Sequence, residues 1–412
     1  MRSFETSSDI IFPDKLPTEV VERKGIGHPD TLADGIAEST EIAYANYCLE
    51  NFGIILHHNL DKAMLLGGLC LQKFGGEEFT KPIKLLFMGR ASRSFGFHEI
   101  PLEDIQRTSA QDYLSRVMPH LDTNNSSMYE ATTLTTTNST RPYWFNPRTI
   151  SDLPEYTDSS PKANDTATMI SYWPMTNTEK LVLDLEGYFY ENNDVGLPVP
   201  RFDYIGQDIK VMAVRNNNLI NVTISIPQIT TNTQNEKIYF ERENYIQNLL
   251  QDYAEMLVDD RIDVRVNVNP QTKNNNPRPY LVTSGSCIDF GEEGAVGRGN
   301  KTHGIISSFR PNTMEAPHGK NPTYFVGKIL GYQADLISKQ IYNRLGTRCQ
   351  VVMQANLGDD LFEPSKIIVS TENQIDKSVI ENVVLNCLEL GRLTTSLIIE
   401  EEYFLPRTNA WK

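Results

Sequence analysis

The sequence predicts an α+β protein built from two or three related sheet-and-helix units. Apolar runs of strand length outnumber stretches with helical spacing, and the two kinds alternate in blocks. The chain has 412 residues, enough for two or three domains with cores of their own. Helical spacing comes first at residues 30–50, where Leu32, Ile36, Ala43, Tyr44, Tyr47 and Cys48 recur at three- and four-residue intervals before Gly53 ends the run. Apolar stretches at 53–57, 63–71 and 84–89 follow, broken by Gly67, Gly68, Gly75, Gly76 and Gly89 as strands joined by tight turns would be. A second block has strands at 208–214 and 219–226, then a helix at 241–258 with Tyr245, Ile246, Leu249, Leu250, Tyr253, Met256 and Leu257 on one face. Strands at 262–268 and 279–283 lead through a long loop to a helix near 324–345, strands at 349–354 and 366–370, and a last helix near 376–396. The units expected from this order are 1–145, 146–275 and 276–412, with interleaved boundaries.

Residues 122–141, dense in Thr, Ser and Asn, and residues 269–278, with Pro270, Asn274, Asn275, Asn276 and Pro277, read as exposed loops or domain boundaries. A long ordered loop is more often functional than ornamental, so residues 122–164 also qualify as a lid or substrate loop.

Lys and Arg number 38 against 53 Asp and Glu, a formal net charge of −15. Such a chain repels nucleic-acid backbone and anionic lipid over most of its surface, so neither is an expected partner, and any polyanionic ligand needs a local basic cluster or a bound cation. No stretch approaches the roughly 18 apolar residues of a membrane span. Asp9, Asp14 and Glu19 interrupt the only apolar run near the start, which does not read as an export signal. Five Cys, at 48, 70, 287, 349 and 387, lie far apart, form no CxxC and fit reduced thiols in a soluble cytoplasmic protein.

Two segments carry chemistry. The first, ERKGIGHPDTLAD, runs from Glu22 to Asp34. Pro29 holds His28 extended and Asp30 falls where a helix begins, so imidazole and carboxylate are displayed together at a strand-to-helix junction whose N–H groups favour an anion. In isolation Asp30 would be only an N-cap and His28 a surface residue. Arg23, Lys24 and Asp34 beside Gly25 and Gly27 point instead to a ligand held close to backbone. The second segment, residues 284–328, is rich in Gly and carries Arg298, Arg310, Lys320 and Lys328 among Glu292, Glu293 and Glu315, a composition suited to cradling phosphate. It is neither GxxxxGK[ST] nor GxGxxG. Its interspersed Phe290, Ile305, Ile306, Phe309, Met314 and Phe325 argue against a solvated linker. Asn164-Asp165-Thr166 is a turn that could offer a carboxylate to Mg²⁺. His57, His58 and Asp61 read as structural, because adjacent strand residues face opposite ways. Glu179-Lys180 and the Asp184/Glu186 pair read as solvated helix faces.

Together these segments resemble the archaeal-type methionine adenosyltransferases, the S-adenosylmethionine synthetases. The likeness runs in order through ERKGIGHPDTLADGIAE (22–38), ILHHNLDKAMLLGG (55–68), KFGG (73–76), NDT (164–166), TEKLVLDLE (178–186), GQDIKVMAV (206–214) and GEEGAVGRGN to GKNP (291–322), nearly the whole chain. The resemblance implies the fold of that family and a reaction in which methionine sulfur attacks C5′ of ATP and expels triphosphate, which is then hydrolysed to phosphate and diphosphate. It also implies catalytic roles for His28, Arg298 and Lys320, Mg²⁺ on Asp30 and Asp165, and nucleotide contacts from Lys24, Gly27, Asp30, Glu292, Gly297, Gly299, Asn300, Arg310 and Lys328. Family members are typically homodimers or homotetramers with interface active sites, and potassium is a common activator.

The departures are not evenly spread. TTLTTTNSTRPYWFNPR (132–148) stands where relatives carry a Gly-Gln-Gly-Ser-like segment, Leu69 where they place His or Gln, Glu292-Glu293 where they have Asp-Asp, Tyr324 and Phe325 where they have Asn-His, and Ala167 after the NDT motif where they have Ser. Phosphate and metal machinery is therefore expected to persist while acceptor recognition has changed. The alternatives are a paralogue that adenosylates another amino acid, a methionine analogue or a small amine, and a silent nucleotide-binding regulator.

Overall fold

The computed structural model describes residues 3–76, 78–158, 160–192, 198–273 and 277–408. It is a mixed α+β fold in which three larger sheets are flanked by helices. Six helices of ten or more residues occur among the described residues: α1 (Pro29–Phe52), α2 (Leu102–Val117), α3 (Asn177–Gly187), α4 (Glu236–Leu257), α5 (Val326–Leu345) and α6 (Lys377–Glu389). None is long and apolar enough to cross a membrane.

A five-stranded sheet has the order Asp263–Val268, Leu219–Ser225, Lys210–Asn216, Thr18–Lys24, Ile306–Ser307. Its central hairpin turns at Asn217, held at φ 52°. The parallel step from Leu219–Ser225 to Asp263–Val268 is made through α4. A second sheet, Gly294–Ala295, His58–Leu66, Ile83–Ala91 and Tyr129–Thr133, is backed by α1, on which α2 packs. The third, Phe4–Ser7, Lys366–Thr371, Cys349–Ala355 and Ala167–Trp173, is covered by α5, which packs against α6. Each sheet draws strands from remote stretches of the chain. One apolar core spans the first two sheets and α1 to α4, and a separate core lies under α5 and α6.

Several elements differ from expectation for identifiable reasons. Helix α4 begins at Glu236, because the Asn235 side chain caps it by accepting the Ile238 N–H at 3.0 Å. Its buried stripe is Tyr239, Glu243, Ile246, Leu250 and Ala254, whereas Tyr245 and Met256 are exposed. Helix α2 is unheralded in the sequence because Gln106 and Ser109 sit on its buried face and dilute the apolar period. The segment 53–57 only links α1 to a strand that starts at His58. The final helix breaks after Glu389 into a 3₁₀ turn and a short helix, Thr394–Glu400. The expected solvated face of α3 is instead internal: Glu179 and Glu186 are completely buried and Asp184 nearly so. Of the 269–278 loop, Pro270–Lys273 forms a 3₁₀ turn and Asn274, Asn275 and Asn276 lie outside the described residues.

Candidate active site

Strand Thr18–Lys24 runs through Gly25-Ile26-Gly27 into α1, with Pro29 at the first helical position, where its missing N–H costs nothing. His28 is the N-cap, extended at φ −64° and ψ 137°, and its Nδ1 accepts the Asp30 backbone N–H at 3.2 Å. That bond fixes the tautomer: the neutral ring carries its proton on Nε2 and can donate there. Burial lowers the His28 pKa below its ordinary value, a pull that nearby Asp208 opposes without overturning, so the ring is neutral at neutral pH. Asp30 Oδ2 accepts from Lys24 Nζ at 2.9 Å and Oδ1 from the Ala295 N–H at 3.1 Å, with Arg298 Nε 3.8 Å away. Burial would raise the Asp30 pKa, but the Lys24 ammonium and the Ala295 N–H outweigh it and hold the carboxyl below its usual range. Asn300 binds both main-chain groups of Lys24, its Oδ1 accepting the N–H at 3.0 Å and its Nδ2 donating to the carbonyl at 2.7 Å.

Helix α1 organises the glycine-rich loop through one acidic face. Asp30, Asp34, Glu38 and Glu41 recur at helical spacing, and each receives donors from outside the helix. Asp34 Oδ1 accepts the Gly297 N–H at 2.7 Å, and Glu38 Oε2 accepts the Gly319 N–H at 3.0 Å. At Gly299 an added Cβ would lie 2.1 Å from Asp34 Oδ2, so a side chain there has to displace that carboxylate or the loop. A loop without a strand ladder must find acceptors for its N–H groups elsewhere, and α1 supplies them.

The expected site residues fall into two groups. His28, Lys24, Asp30, Gly297, Arg298, Gly299 and Asn300 meet at the start of α1, with Arg298 the open member at 75% side-chain exposure. Lys320 stands near Glu38, eight residues along α1 and so about 12 Å up its axis. Lys320 is buried against the Phe325 ring at 4.4 Å and paired with Glu315, and its backbone bridges to Asn59. Exposed Asp165 lies at the N-terminus of α5, because its neighbour Asn164 accepts the Val326 N–H at 3.0 Å. A 310 Å³ cavity bordered by Thr31, Asp34, Asn300, Glu315 and His318 lies between the groups, with Glu401 and Tyr403 to Arg407 forming another wall.

Four expectations are corrected. Arg310 is no phosphate clamp: both its Nε and Nη2 donate to Glu179 at 2.9 Å, and it stacks on Tyr172 at 4.0 Å. Lys328 is fully buried between Glu38 and Glu41 at 2.9 and 2.6 Å. Burial would lower its pKa, but the two carboxylates raise it, so it stays charged as a core ion pair. Arg23 is likewise buried on Glu186. The close approach at Gly27 is to the chain itself, since a Cβ there would lie 2.5 Å from Gln207. Glu292 stays exposed at the loop's entrance. His57 and His58, read as structural from the sequence, are both fully buried. His57 stacks on Trp144 with centroids 3.7 Å apart and pairs with Glu155, while His58 reaches Glu41 at 3.3 Å. Sequence reasoning missed the roles of Glu38 and of Asp208, a buried carboxylate whose charge acts on His28 and which accepts from Tyr280 Oη at 2.9 Å.

The model of the S-adenosylmethionine synthetase (AdoMet synthetase) family matches residues 7–400. This chain belongs to the S-adenosylmethionine synthetase family. It is 32% identical over 389 residues to the S-adenosylmethionine synthase of Thermoplasma volcanium, covering 93% of each chain, and 34% identical over 352 residues to that of Haloarcula marismortui, covering 84% and 83%. It is 49% identical over 399 residues to an uncharacterized protein of Streptococcus pyogenes serotype M3, covering 97% of each. The fold matches an unusual S-adenosylmethionine synthetase from Campylobacter jejuni with a TM-score of 0.59 at 14% identity, covering 94% and 89% of the two chains. Within this family the chain is a divergent member.

Proposed function

We propose that this protein is an adenosyltransferase that forms S-adenosylmethionine from methionine and ATP, with release of phosphate and diphosphate. The observation that carries this reading is the junction of His28, Asp30, Lys24 and Arg298, where a neutral imidazole donor and an open guanidinium stand beside a helix N-terminus. In the reaction the sulfur lone pair forms a bond to C5′ and the C5′–O bond breaks, its electron pair leaving on the triphosphate. Sulfur becomes a sulfonium and no proton moves. Water then splits the triphosphate. Such a displacement needs positive charge and hydrogen-bond donors at the leaving oxygens more than it needs a base. His28 Nε2–H donates to the leaving phosphate, Arg298 neutralises it, and Lys24 holds Asp30 ionised.

Among the described residues no three His, Cys, Asp or Glu side chains form a ready metal cage. Mg²⁺ does not require one, since it is commonly held by one or two carboxylates plus substrate phosphates. Exposed Asp165 and the ionised Asp30 fit that donor type and would hold it; when bound, it neutralises charge on the phosphate oxygens. Lys320 joins the phosphates once its pairing with Glu315 is exchanged for a ligand oxygen. A homodimer with sites shared between two chains belongs to the same reading. The chain's free thiols suit the cytoplasm, where ATP is supplied. The three interleaved units with divisions near 145 and 275 are part of the same reading.

A second reading keeps the triphosphate displacement with another acceptor. It is favoured by exposed Leu69 and by the rewritten 132–148 loop. Incubating the purified protein with ATP, Mg²⁺ and either methionine or a panel of thioethers, amino acids and amines, with mass spectrometry of adenosylated products, separates the two. Efficient turnover of methionine removes the second reading, and absence of any adenosylated product removes both.

A further inference from the structure

Glu315 sits where two features that attract anions meet. Its carboxylate pairs with Lys320 Nζ, which in turn lies 4.4 Å from the centre of the Phe325 ring. The same side chain packs on the first turn of α5, where a Cβ added at Gly327 would lie 2.5 Å from Glu315 Cγ and 2.8 Å from its carboxyl carbon. A helix of 20 residues carries partial positive charge at that end. An ammonium beside a helix N-terminus is a setting in which proteins hold phosphate, and here a carboxylate of the chain itself fills it.

The two partners are not equally fixed. Lys320 follows Gly319, whose N–H donates to Glu38 at 3.0 Å and whose carbonyl accepts the Leu60 N–H at 2.8 Å, and Lys320 itself bridges to Asn59 of the strand His58–Leu66. Glu315 belongs to a stretch, 311–317, that has neither helix nor strand. Its own N–H donates to Thr313 Oγ1 at 3.2 Å, a local bond that travels with the segment. Exposure follows the same order. The Glu315 side chain is 25% exposed and its neighbour Met314 is 85% exposed, whereas Lys328 and its partners Glu38 and Glu41 are completely buried. An ion pair buried at both ends stays closed, because parting it strands a charge away from water. A pair with one arm on an irregular, part-exposed segment opens at lower cost and can exchange its carboxylate for another anion.

We propose that Glu315 is an internal competitor for polyphosphate: it neutralises Lys320 while the site is empty, and is displaced together with residues 311–317 when a phosphate oxygen takes its place. The use of Lys320 on phosphate rests on the transfer reading above. Competition weakens the hold on a polyanionic product that a fixed cationic site would retain. A ligand that must open a latch closed about nine-tenths of the time binds about tenfold more weakly than it would to the open form. Isothermal titration of the full-length protein with Mg²⁺ and diimidotriphosphate, a triphosphate that resists hydrolysis, tests this. E315Q and E315A are expected to bind the probe about tenfold more tightly than wild type. E315D, which keeps the charge, should stay within about threefold of wild type. So should E401Q, which removes a carboxylate from another wall of the 310 Å³ cavity but not the one on Lys320, because a charge at a distance is screened. A gain in affinity cannot come from misfolding, and thermal denaturation checks that each variant is folded. Unchanged or lost affinity in folded E315Q and E315A overturns the proposal, and so does an equal gain in E401Q. A gain confined to the Glu315 variants, without adenosylated product from any acceptor, would leave the competitor standing and sink the transfer reading. Adenosylated product with the same probe affinity in every variant would do the reverse.

Discussion

Arg298 and Arg310 lie in the same glycine-rich loop and look alike in sequence, yet one is open beside Asp30 and the other is buried on Glu179. Their substitutions should therefore part company. Arg298→Ala is expected to lower turnover by about 100-fold or more while leaving ATP affinity within a few-fold, as for loss of a donor that acts on transition-state charge. Arg310→Met strands a buried carboxylate and should cost stability on the order of 3–5 kcal/mol, with turnover per folded molecule little changed. Steady-state kinetics and denaturant titration of both variants check this. His318, mostly enclosed beside α1, supplies a pH signature. Burial would lower its pKa, but Asp34, 3.3 Å from its Nδ1, raises it above the ordinary value. A raised folded pKa stabilises fully below the unfolded value of about 6.5 and loses that contribution as pH climbs through the folded value. Wild type should thus lose more stability than His318→Gln between pH 6 and pH 8.5, and equal losses in the two would contradict the pairing. Residues at the junction were legible in the sequence because Pro29 and the capping position fix His28 locally. Arg310 and Lys328 were not, because Glu179 comes from a helix whose carboxylates read as solvent-facing, and nothing local marks Glu38 and Glu41 of α1 as buried.

Helix α1 is the element on which the site is hung. Its acidic face supplies acceptors to loop N–H groups at Gly297 and Gly319, so the loop's shape depends on side chains rather than on a ladder. Gly299→Ala should push the loop off Asp34 and cost about 1–3 kcal/mol together with most activity, by the usual penalty for overpacking, read by thermal denaturation and turnover. A fully active, equally stable variant would contradict the assigned contact. The elements that sequence patterning located are those with clean periods, such as α1 and the hairpin of Lys210–Asn216 and Leu219–Ser225. Helices α2 and α3 were missed or misread because Gln106, Glu179 and Glu186 occupy buried positions, where only tertiary partners make them tolerable.

At the scale of the whole molecule, a charge of −15 and a polyanionic substrate are reconciled by segregation. Most cations near the site are paired with carboxylates, and Arg298 is the one at the start of α1 that stays 75% exposed. If Arg298 and Lys320 serve one site from two chains, the inactive variants Arg298→Ala and Lys320→Ala should complement when subunits are exchanged, recovering about one quarter of wild-type activity on statistical mixing of a two-fold dimer. No recovery from a mixture shown to contain heterodimers would place both residues in one chain's site. The chemistry itself is most directly read with ATP carrying ¹⁸O at the oxygen between C5′ and the α-phosphorus. Displacement at C5′ sends that label into the released phosphate and diphosphate, with none in the adenosyl product. Label retained on adenosine, ADP or AMP would mean that a P–O bond broke instead, and that the protein is not an adenosyltransferase.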